Sequence, residues 1–415
     1  MREMKDSGIE WIGEIPKHWK IKKPKYIGSI RSGDSVTNKK LNDDIGYEVL
    51  GGNGTIGFYD KYNVDGTHII IGRVGALCGN SRITRGKKFI SDNALIYTCF
   101  EGQSENYINY IFDAFNLNKL NTSNAQPLIT GSKVLNIFIP YPYIIEQKII
   151  ADFLDSKCSE IDATAEDIQK EISLLEEYKK SVITEAVTKG LNPDAEMKDS
   201  GIEGIKEIPV ISKVVRLKYL VDKKITDGTH KTPEYATVDD GSPFLSSKDV
   251  RNGYIDWSNV KYITKTLHNI LHKEVCCKRG DILLAKNGTT GVAALVDTDD
   301  VFDIYVTLAV IRSDKKKVLP EYLLYSINSN VTKEQFSERL VGIGVPNLHL
   351  NVIENTNIIV YEISEQQKIV KYLNEKCSCI DDAILIKKKQ LEMLADYKKS
   401  LIYEYVTGKK EVPHE

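Results

Sequence analysis

The feature that most constrains this chain is that its beginning and its end both occur twice. Residues 4–16, MKDSGIEWIGEIP, recur as residues 197–209, MKDSGIEGIKEIP, with 11 of 13 positions identical. Residues 146–190 recur as residues 365–409, with 19 identities in 45 positions. The offset rises from 193 to 219 residues, so the second copy carries 26 more residues between these segments. A period of this length indicates a duplicated domain and not a solenoid of short repeats. We refer to these pairs as the starter segments and the closing segments, and to the residues between them as the first body (17–145) and the second body (210–364).

The closing segments have the pattern of long coiled-coil helices. Residues 146–188 contain neither glycine nor proline, and apolar residues recur at alternating spacings of four and three. Lys179 interrupts this pattern in the first copy, and Lys387 and Lys398 interrupt it in the second. The shared heptad phase favours pairing of the two helices with each other over packing of each on its own body. The apolar series is Leu154, Cys158, Ile161, Ala165, Ile168, Ile172, Leu175, Val182 and Ala186 in the first copy, and Leu373, Cys377, Ile380, Ile384, Leu391, Leu394, Leu401 and Tyr405 in the second.

The two bodies have the pattern of short strands, loops and short helices. THIIIGRVGALCG (67–79) places a glycine-rich turn after an apolar run, and DILLAKNGTTGVAALV (281–296) has the order strand, turn, strand. The loops GRVGA and KNGTTG are therefore predicted to correspond. Late in each body a short helical pattern precedes a short strand. We therefore expect an α+β (mixed α/β) fold.

Length and composition narrow the class of protein. The 415 residues accommodate several domains, and no run approaches the ~20 apolar residues of a membrane span. The N-terminus lacks the apolar core of a signal peptide, and seven cysteines without a framework spacing indicate reduced thiols. We therefore expect a cytoplasmic protein with no membrane association. The net charge is −2, but residues 20–143 carry 15 lysines and arginines against 10 acidic residues, which permits nucleic-acid contact.

Motifs that carry catalysis are not evident. GNGTIG (52–57) fits a dinucleotide fingerprint, but a strand-like FYDKYN follows where the phosphate-binding helix belongs. The sequence contains no G-x-x-x-x-G-K-[ST] loop and no G-x-S-x-G elbow. NPD at residues 192–194 lacks the Pro-Pro-aromatic continuation of an amino-methyltransferase loop, and no cluster convincingly marks a nuclease. We therefore predict no catalytic residue and no cofactor in this chain.

One spacing raises the alternative of a zinc site. His268, His272 and Cys276 recur at intervals of four and would share a helix face able to supply metal ligands. A fourth ligand is not evident, and the neighbouring Leu267 and Leu271 are typical of ordinary packing. The sequence prediction is therefore that the chain has no metal site.

Taken together, KDSGIEWIGEIPKHW, the two variable bodies and the repeated Y-K-K-S-[VL]-I-x-E-x-V-T helix ends resemble the specificity subunit of Type I restriction-modification systems. The resemblance covers nearly the whole chain. It implies two globular target recognition domains joined by two long antiparallel coiled-coil helices, with pseudo-two-fold symmetry. It implies these bounds: target recognition domain 1 at 1–145, the central helix at 146–190, target recognition domain 2 at 191–364 and the C-terminal helix at 365–409.

The resemblance also implies a function. Each recognition domain would read one half of a bipartite, asymmetric DNA sequence, and the coiled coil would fix the spacer between the halves. The expected partners are double-stranded DNA, two modification (methyltransferase) subunits and, in the larger complex, ATP-dependent restriction subunits. The holoenzyme of this family is a DNA adenine methyltransferase and ATP-dependent endonuclease, whereas this subunit carries no catalytic centre.

Loop residues of the types that hydrogen-bond base edges are the candidates for DNA contact. Arg73 and Lys286 are the foremost candidates because a glycine-bearing turn would present each of them. We expect at least half of the set to contact phosphates or only solvent. The set is Asn53, Arg73, Arg82, Arg85, Lys87, Lys88 and Asn93 in the first body, and His230, Lys231, Lys248, Arg251, Lys286, Asn287, Thr289 and Thr290 in the second.

The repeated Tyr-Lys-Lys stretches are the candidates for docking of the modification subunits. Packing of the helices would require only their apolar positions, yet these residues are repeated as identities; retention of an ancestral helix end is the alternative. The docking candidates are Tyr178, Lys179, Lys180, Tyr397, Lys398 and Lys399.

Two other functions stay open for the chain: a coiled-coil assembly protein whose bodies bind protein or glycan, and an unrecognised hydrolase.

Overall fold

A computed structural model describes residues 2–37, 41–121, 127–202, 205–339 and 347–413. It divides the chain into two compact units. The first unit contains Met1–Gln169 and Lys388–Glu415, and the second contains Lys170–Lys387. Each unit therefore holds one body together with parts of both closing segments.

Within the described residues, the first copy forms short strands, two short helices and one long helix. The strands are β1 (Met4–Asp6), β2 (Glu14–Pro16), β3 (Lys20–Lys22), β4 (Gly28–Ser32), β5 (Tyr47–Gly51), β6 (Gly54–Tyr59), β7 (His68–Gly72), β8 (Ser81–Thr84), β9 (Phe89–Ile90), β10 (Ala94–Cys99) and β11 (Ile139–Tyr141). The helices are α1 (Glu105–Phe115), α2 (Gly131–Asn136) and α3 (Ile144–Lys189).

The described part of the second copy has the same plan with additional elements. Its strands are β12 (Met197–Ile202), β13 (Ile205–Pro209), β14 (Lys213–Arg216), β15 (Thr226–Asp227), β16 (Tyr235–Ala236), β17 (Gly241–Leu245), β18 (Lys261–Thr264), β19 (Ile282–Ala285), β20 (Ala293–Leu295), β21 (Asp303–Ile304), β22 (Leu308–Ile311) and β23 (Asn357–Val360). Its helices are α4 (Lys265–Glu274), α5 (Pro320–Asn328), α6 (Asn330–Ser337), α7 (Leu350–Glu354) and α8 (Ile363–Val406).

The four-stranded antiparallel sheet has the same strand order in both bodies, whereas the second sheet has one additional strand, β16, in the second body. In the first unit, a four-stranded antiparallel sheet has the order β4-β10-β7-β8, and a second sheet has the order β6-β5-β9 with β5 and β9 parallel. In the second unit the corresponding orders are β15-β22-β19-β20 and β16-β18-β17-β21, with β17 and β21 parallel. The bodies therefore share one topology, although their sequences have diverged.

Runs of β-branched and aliphatic residues form the central strands of these sheets. Ile69, Ile70 and Ile71 of β7 are fully buried because apolar clusters contact both faces of the strand. In the second unit all four residues of β19 are buried, with Ile282 and Leu284 on one face and Leu283 on the other. Continuous apolar runs of this kind are typical of strands covered on both faces.

The long helices α3 and α8 pair antiparallel within each unit, as the heptad pattern predicted. In the second unit Lys179 contacts Asp381 at 2.6 Å and Lys387 contacts Glu171 at 2.5 Å. Residue numbers along α3 therefore rise in the direction in which those along α8 fall, as in an antiparallel pair. The predicted apolar positions are buried or half-buried throughout both helices. The equivalent ion pair in the first unit joins Lys398 to Asp162, at 2.7 Å. The two copies are exchanged in this pair: the second closing segment supplies the lysine and the first supplies the aspartate, the reverse of the second unit.

In each unit, a buried tyrosine of the body contacts the end of the long helix that belongs to the other copy. Tyr107, the third residue of α1, donates to the carbonyl oxygen of Val406 at the end of α8 (3.1 Å). The hydroxyl of Tyr322, the third residue of α5, lies between two carbonyl oxygens, that of Ile359 at 2.9 Å and that of the equivalent Val187 near the end of α3 at 3.3 Å. Each body thus packs against the beginning of its own closing helix and against the end of the other copy's closing helix.

The first starter segment also packs on the end of α8. Tyr403 donates to the carbonyl oxygen of Trp11 (3.1 Å), and Lys409 donates to that of Ile12 (2.7 Å). A Cβ on Gly408 would lie only 2.4 Å from Pro16, so the contact requires glycine. In the part of the chain that the structure describes, no helix combines the length and apolar character needed to cross a bilayer.

We expect Tyr107→Phe to loosen the end of α8 selectively. The change leaves the buried Val406 carbonyl without its partner, which costs about 1–3 kcal/mol locally. Hydrogen exchange should therefore accelerate about tenfold across residues 401–408, with little change at the end of α3.

Tyr322→Phe is the matched control, because it removes the equivalent hydroxyl from the other unit. It should accelerate exchange at the end of α3 and leave that of α8 unchanged. Acceleration of the same helix end by both variants would contradict the exchanged arrangement.

Candidate nucleic-acid interface

The loops that carry Arg73 and Lys286 occupy equivalent positions, as predicted. Each follows the third strand of its four-stranded sheet, β7 or β19. The carbonyl oxygen of Arg73 accepts from the Ile129 amide, and that of Lys286 accepts from the Leu348 amide, both at 2.9 Å. The two loops therefore have the same backbone connections and differ in the side chains that they carry.

The side chains at these positions also contact equivalent strands. The Arg73 guanidinium donates from Nη1 to the Ser32 hydroxyl (3.2 Å), at the end of β4. The Lys286 ammonium forms an ion pair with Asp227, at the end of β15. Lys286 is only 7% exposed at its side chain, so the loop does not present its ammonium group to solvent in this structure.

Sequence reasoning missed Ser32 and Asp227 as the partners of these cations. The sequence does contain a signal, because each of these residues is followed by a glycine. In the structure a Cβ at either glycine would collide with backbone. A Cβ on Gly33 would lie 2.2 Å from the Ser91 carbonyl, and one on Gly228 would lie 2.0 Å from that of Ile304. The pair Ser-Gly and Asp-Gly therefore marks equivalent places in the two bodies.

In the first body, four of the predicted residues lie around one end of β7. The Arg73 amide donates to the Asn93 carbonyl oxygen (3.0 Å), which joins two of the loops. Arg82 reaches the β5–β6 turn, where its Nη2 donates to the Gly51 carbonyl oxygen (2.5 Å), and burial lowers the pKa of its guanidinium. Asn53 is exposed in that turn and accepts from the Asn80 amide group (3.3 Å). Arg82 therefore braces the turn that presents Asn53.

The other three predicted residues lie at the opposite end of the β7–β8 pair. They follow Thr84, which pairs with His68 at the beginning of β7. Arg85 donates to Asn106 (3.3 Å), and the Lys87 ammonium lies 4.7 Å from the centre of the Tyr62 ring. Lys88 forms an ion pair with Glu48 (2.5 Å), whose pKa this bond lowers. The first body thus separates its candidates into two groups.

In the second body, the candidates lie in the 286–290 loop and in the segments that follow β15 and β17. Thr289 donates to the Ser247 carbonyl oxygen (3.0 Å), which joins the 286–290 loop to the segment that follows β17. Lys248 is exposed on that segment, and Arg251 pairs with Asp256 (3.0 Å) beside it. His230 and Lys231 are exposed after β15. The remaining two lie in the same loop: Asn287 is half-buried, and Thr290 donates to the Lys286 carbonyl oxygen (3.4 Å).

The docking candidates divide by their contacts. Tyr178 and Tyr397 are 52% and 56% exposed. Lys179 and Lys398 are engaged in the cross-helix ion pairs described above, whereas Lys180 and Lys399 are exposed, with Lys399 3.4 Å from Asp396. The outward-facing part of each repeated stretch is therefore its tyrosine and its second lysine.

The suggested helix face of His268, His272 and Cys276 is not formed as the spacing predicted. Helix α4 ends at Glu274, so Cys276 lies beyond it. The two histidines instead lie beside Asp303 of β21, with the donor atoms of all three residues within 4.8 Å of one another.

Comparison with known proteins agrees with the duplicated architecture. The family model described as the Type I restriction modification DNA specificity domain matches the chain twice, over residues 16–174 and 209–393. The chain belongs to this family. As a Type I specificity protein it has two recognition domains, one in each copy.

Two specificity proteins from Methanocaldococcus jannaschii are similar to this chain along nearly their whole length. The Type I restriction enzyme MjaVIII specificity subunit is 26% identical over 428 residues, covering 99% of this chain and 94% of that protein. The putative MjaX specificity subunit is 27% identical over 429 residues, covering 96% and 95%. A chain from a solved structure of the type I R-M system matches with a TM-score of 0.69 at 14% identity, covering 95% of this chain and 99% of that one, and supports the same fold.

We expect Lys286→Ala to destabilise the second unit by about 2–3 kcal/mol, because it leaves the largely buried Asp227 carboxylate without its cation. Arg73→Ala should cost the first unit about 1 kcal/mol, since it removes only a hydrogen bond to a hydroxyl. Hydrogen exchange in β19 and β7 measures the two effects. Adding Asp227→Asn to Lys286→Ala should recover at least half of the loss; no recovery would show that the ion pair does not stabilise the loop.

Proposed function

We propose that this chain is the non-catalytic subunit that selects the DNA target of a Type I restriction-modification complex, with each body reading one half of a bipartite, asymmetric sequence. The observation that carries the proposal is the pair of equivalent loops with different side chains. The loop after β7 carries Arg73, with Asn53 and Asn93 on adjacent loops. The loop after β19 carries Lys286, which is paired with Asp227, together with Asn287 and Thr289.

Physical reasons connect this arrangement to DNA. Arginine, lysine and asparagine side chains can each hydrogen-bond base edges in the major groove, and their positions fix which bases they accept. Two different side-chain sets in one frame would therefore read two different half-sites, whereas a homodimer reads the same half-site twice. Exposed cations such as Lys231 and Lys248 suit phosphate contacts, which position the protein without reading sequence.

The exchanged helices support a proposal about partners. The stretch from Tyr178 to Lys180 in the second unit and the stretch from Tyr397 to Lys399 in the first present the same exposed chemistry. Two identical modification subunits would find one such surface each, and restriction subunits would join the assembled complex. On this proposal the catalytic centres and their cofactors belong to those partners, and the complex acts in the cytoplasm.

The reader loops are tested by changing one body at a time. We expect Arg73→Ala to relax base preference in one half-site, with the target methylated about tenfold less, since a good base contact contributes about 1–3 kcal/mol of discrimination. Lys286→Met combined with Asp227→Asn removes the other cation without leaving a buried charge, and should relax the other half-site. Sequencing of methylated sites in cells that express each variant with the partner subunits measures both effects.

The result that contradicts this assignment is also specific. If both variants relax the same half-site, or if neither changes the methylated sequence, these loops do not read the target.

Docking is tested by removing the repeated tyrosines. Because their rings are exposed and make no contribution to the helix seam, Tyr178→Ala with Tyr397→Ala should leave the subunit helical while abolishing capture of the modification subunit. Each single change should remove about one partner, as measured by the mass of the purified complex.

Tyr26→Ala with Tyr219→Ala is the matched control, because these equivalent tyrosines are similarly exposed, at 66% and 58%. The control should assemble with two partners. Wild-type assembly of the Tyr178 and Tyr397 double variant would show that the repeated stretch is only a retained helix end.

A further inference from the structure

Three ligand-type side chains meet inside the second body, away from the loops assigned to DNA. His268 and His272 lie one turn apart on α4, so that they share a face, with ring centres 5.3 Å apart. The Nδ1 atom of His268 lies 2.6 Å from the Oδ2 atom of Asp303 on the neighbouring strand β21. One donor atom from each of the three residues lies within 4.8 Å of the others.

The burial of this cluster calls for a partner that the protein does not supply. The Asp303 side chain is only 2% exposed, yet its Oδ1 atom has no hydrogen-bond partner among the described residues. The Nδ1 atom of His272 is buried and likewise has none. The great majority of buried polar atoms in proteins have a hydrogen-bond partner. Two unpaired atoms in one cluster therefore indicate a bound group.

The duplicated fold provides an internal comparison. Asp303 pairs with Phe244 of β17, and the residue in the equivalent position of the first body is Phe89, which pairs with Val49 of β5. Phe89 packs edge-on against Tyr59, with ring centres 5.1 Å apart. The fold therefore does not require a carboxylate at this place. Helix α4, which supplies both histidines, also has no counterpart between β6 and β7 in the described first body.

We propose that His268, His272 and Asp303 bind one divalent transition-metal ion of the zinc type, which fastens α4 to β21 in the second recognition domain. Two neutral imidazoles and a carboxylate are a donor set that zinc accepts, at bond lengths of about 2.0–2.2 Å. A tetrahedral ion with such bonds separates its ligand atoms by roughly 3.3 Å. The His268 Nδ1 and Asp303 Oδ2 atoms, now 2.6 Å apart, would move apart, and donor atoms at the far limit of 4.8 Å would move closer, by rotation of the side chains. Two bonds to the ion replace the His268–Asp303 contact, and water occupies the fourth position.

The neighbouring thiols are not part of the proposed site. The sulfur of Cys276 is directed to the Cys277 carbonyl oxygen (3.9 Å). Burial raises the pKa of the Cys277 thiol, which disfavours the thiolate that a zinc ligand would require. The ligand set thus comes from α4 and β21 alone.

The test uses the full chain after removal of metals by a chelator. Calorimetric titration with Zn²⁺ should show one equivalent bound per chain, and saturating Zn²⁺ should raise the unfolding temperature of the second unit. Co²⁺ in place of Zn²⁺ should give visible absorption bands typical of low-symmetry coordination. Asp303→Asn and His272→Ala should each weaken Zn²⁺ binding at least tenfold and remove those bands.

His349→Ala is the control, because this exposed histidine lies in the same copy outside the cluster. It should bind one equivalent as the wild type does. Absence of stoichiometric Zn²⁺ binding by the wild type, or unchanged binding in Asp303→Asn, would overturn the proposal. If Asp303→Asn does not fold, His272→Gln decides: retained Zn²⁺ affinity overturns the proposal, and a loss of at least tenfold with the fold intact supports it.

Discussion

The contacts of two buried tyrosine hydroxyls with helix ends, Tyr107 with Val406 and Tyr322 with Val187, define the constraint on which the remaining structure depends. Each holds a recognition domain against the end of the helix that closes the other copy. A chain in which each copy closed on itself would not need both helices in both units. Because the ends are exchanged, neither unit can form fully without residues from both copies.

This exchange explains which parts of the sequence repeat and which diverge. Starter and closing segments share an apolar cluster within each unit, with Ile15 and Val406 in the first and the equivalent Ile208 and Val187 in the second, so a change in one copy disturbs residues from the other. The loops after β7 and β19 share their backbone connections to the frame but carry different side chains, which have different partners, Ser32 for Arg73 and Asp227 for Lys286. Repetition thus marks the residues that hold the frame, and divergence marks the surface through which we propose that DNA is read.

Periodicity made the frame predictable from sequence. The heptad series located both long helices, and the glycine-rich turns after apolar runs identified the equivalent loops. The partners of individual side chains were not predictable, because they are distant in sequence. Lys286 lies against Asp227, 59 positions earlier, and a turn that should expose its ammonium group instead buries it. Likewise the spacing of His268 and His272 was informative, but their third neighbour, Asp303, comes from a strand that no helical period could indicate.

We propose that the length of the paired helices sets the spacer between the two DNA half-sites. The most direct test inserts one heptad into each helix at opposed positions, after Gln169 and after Lys387, which preserves the phase of the apolar seam. Seven residues lengthen a helix by about 10 Å, close to three base-pair steps of about 3.4 Å. Sequencing of methylated sites should show both half-sites unchanged and the spacer between them about three base pairs longer. An unchanged spacer in a variant that still methylates DNA would contradict the account.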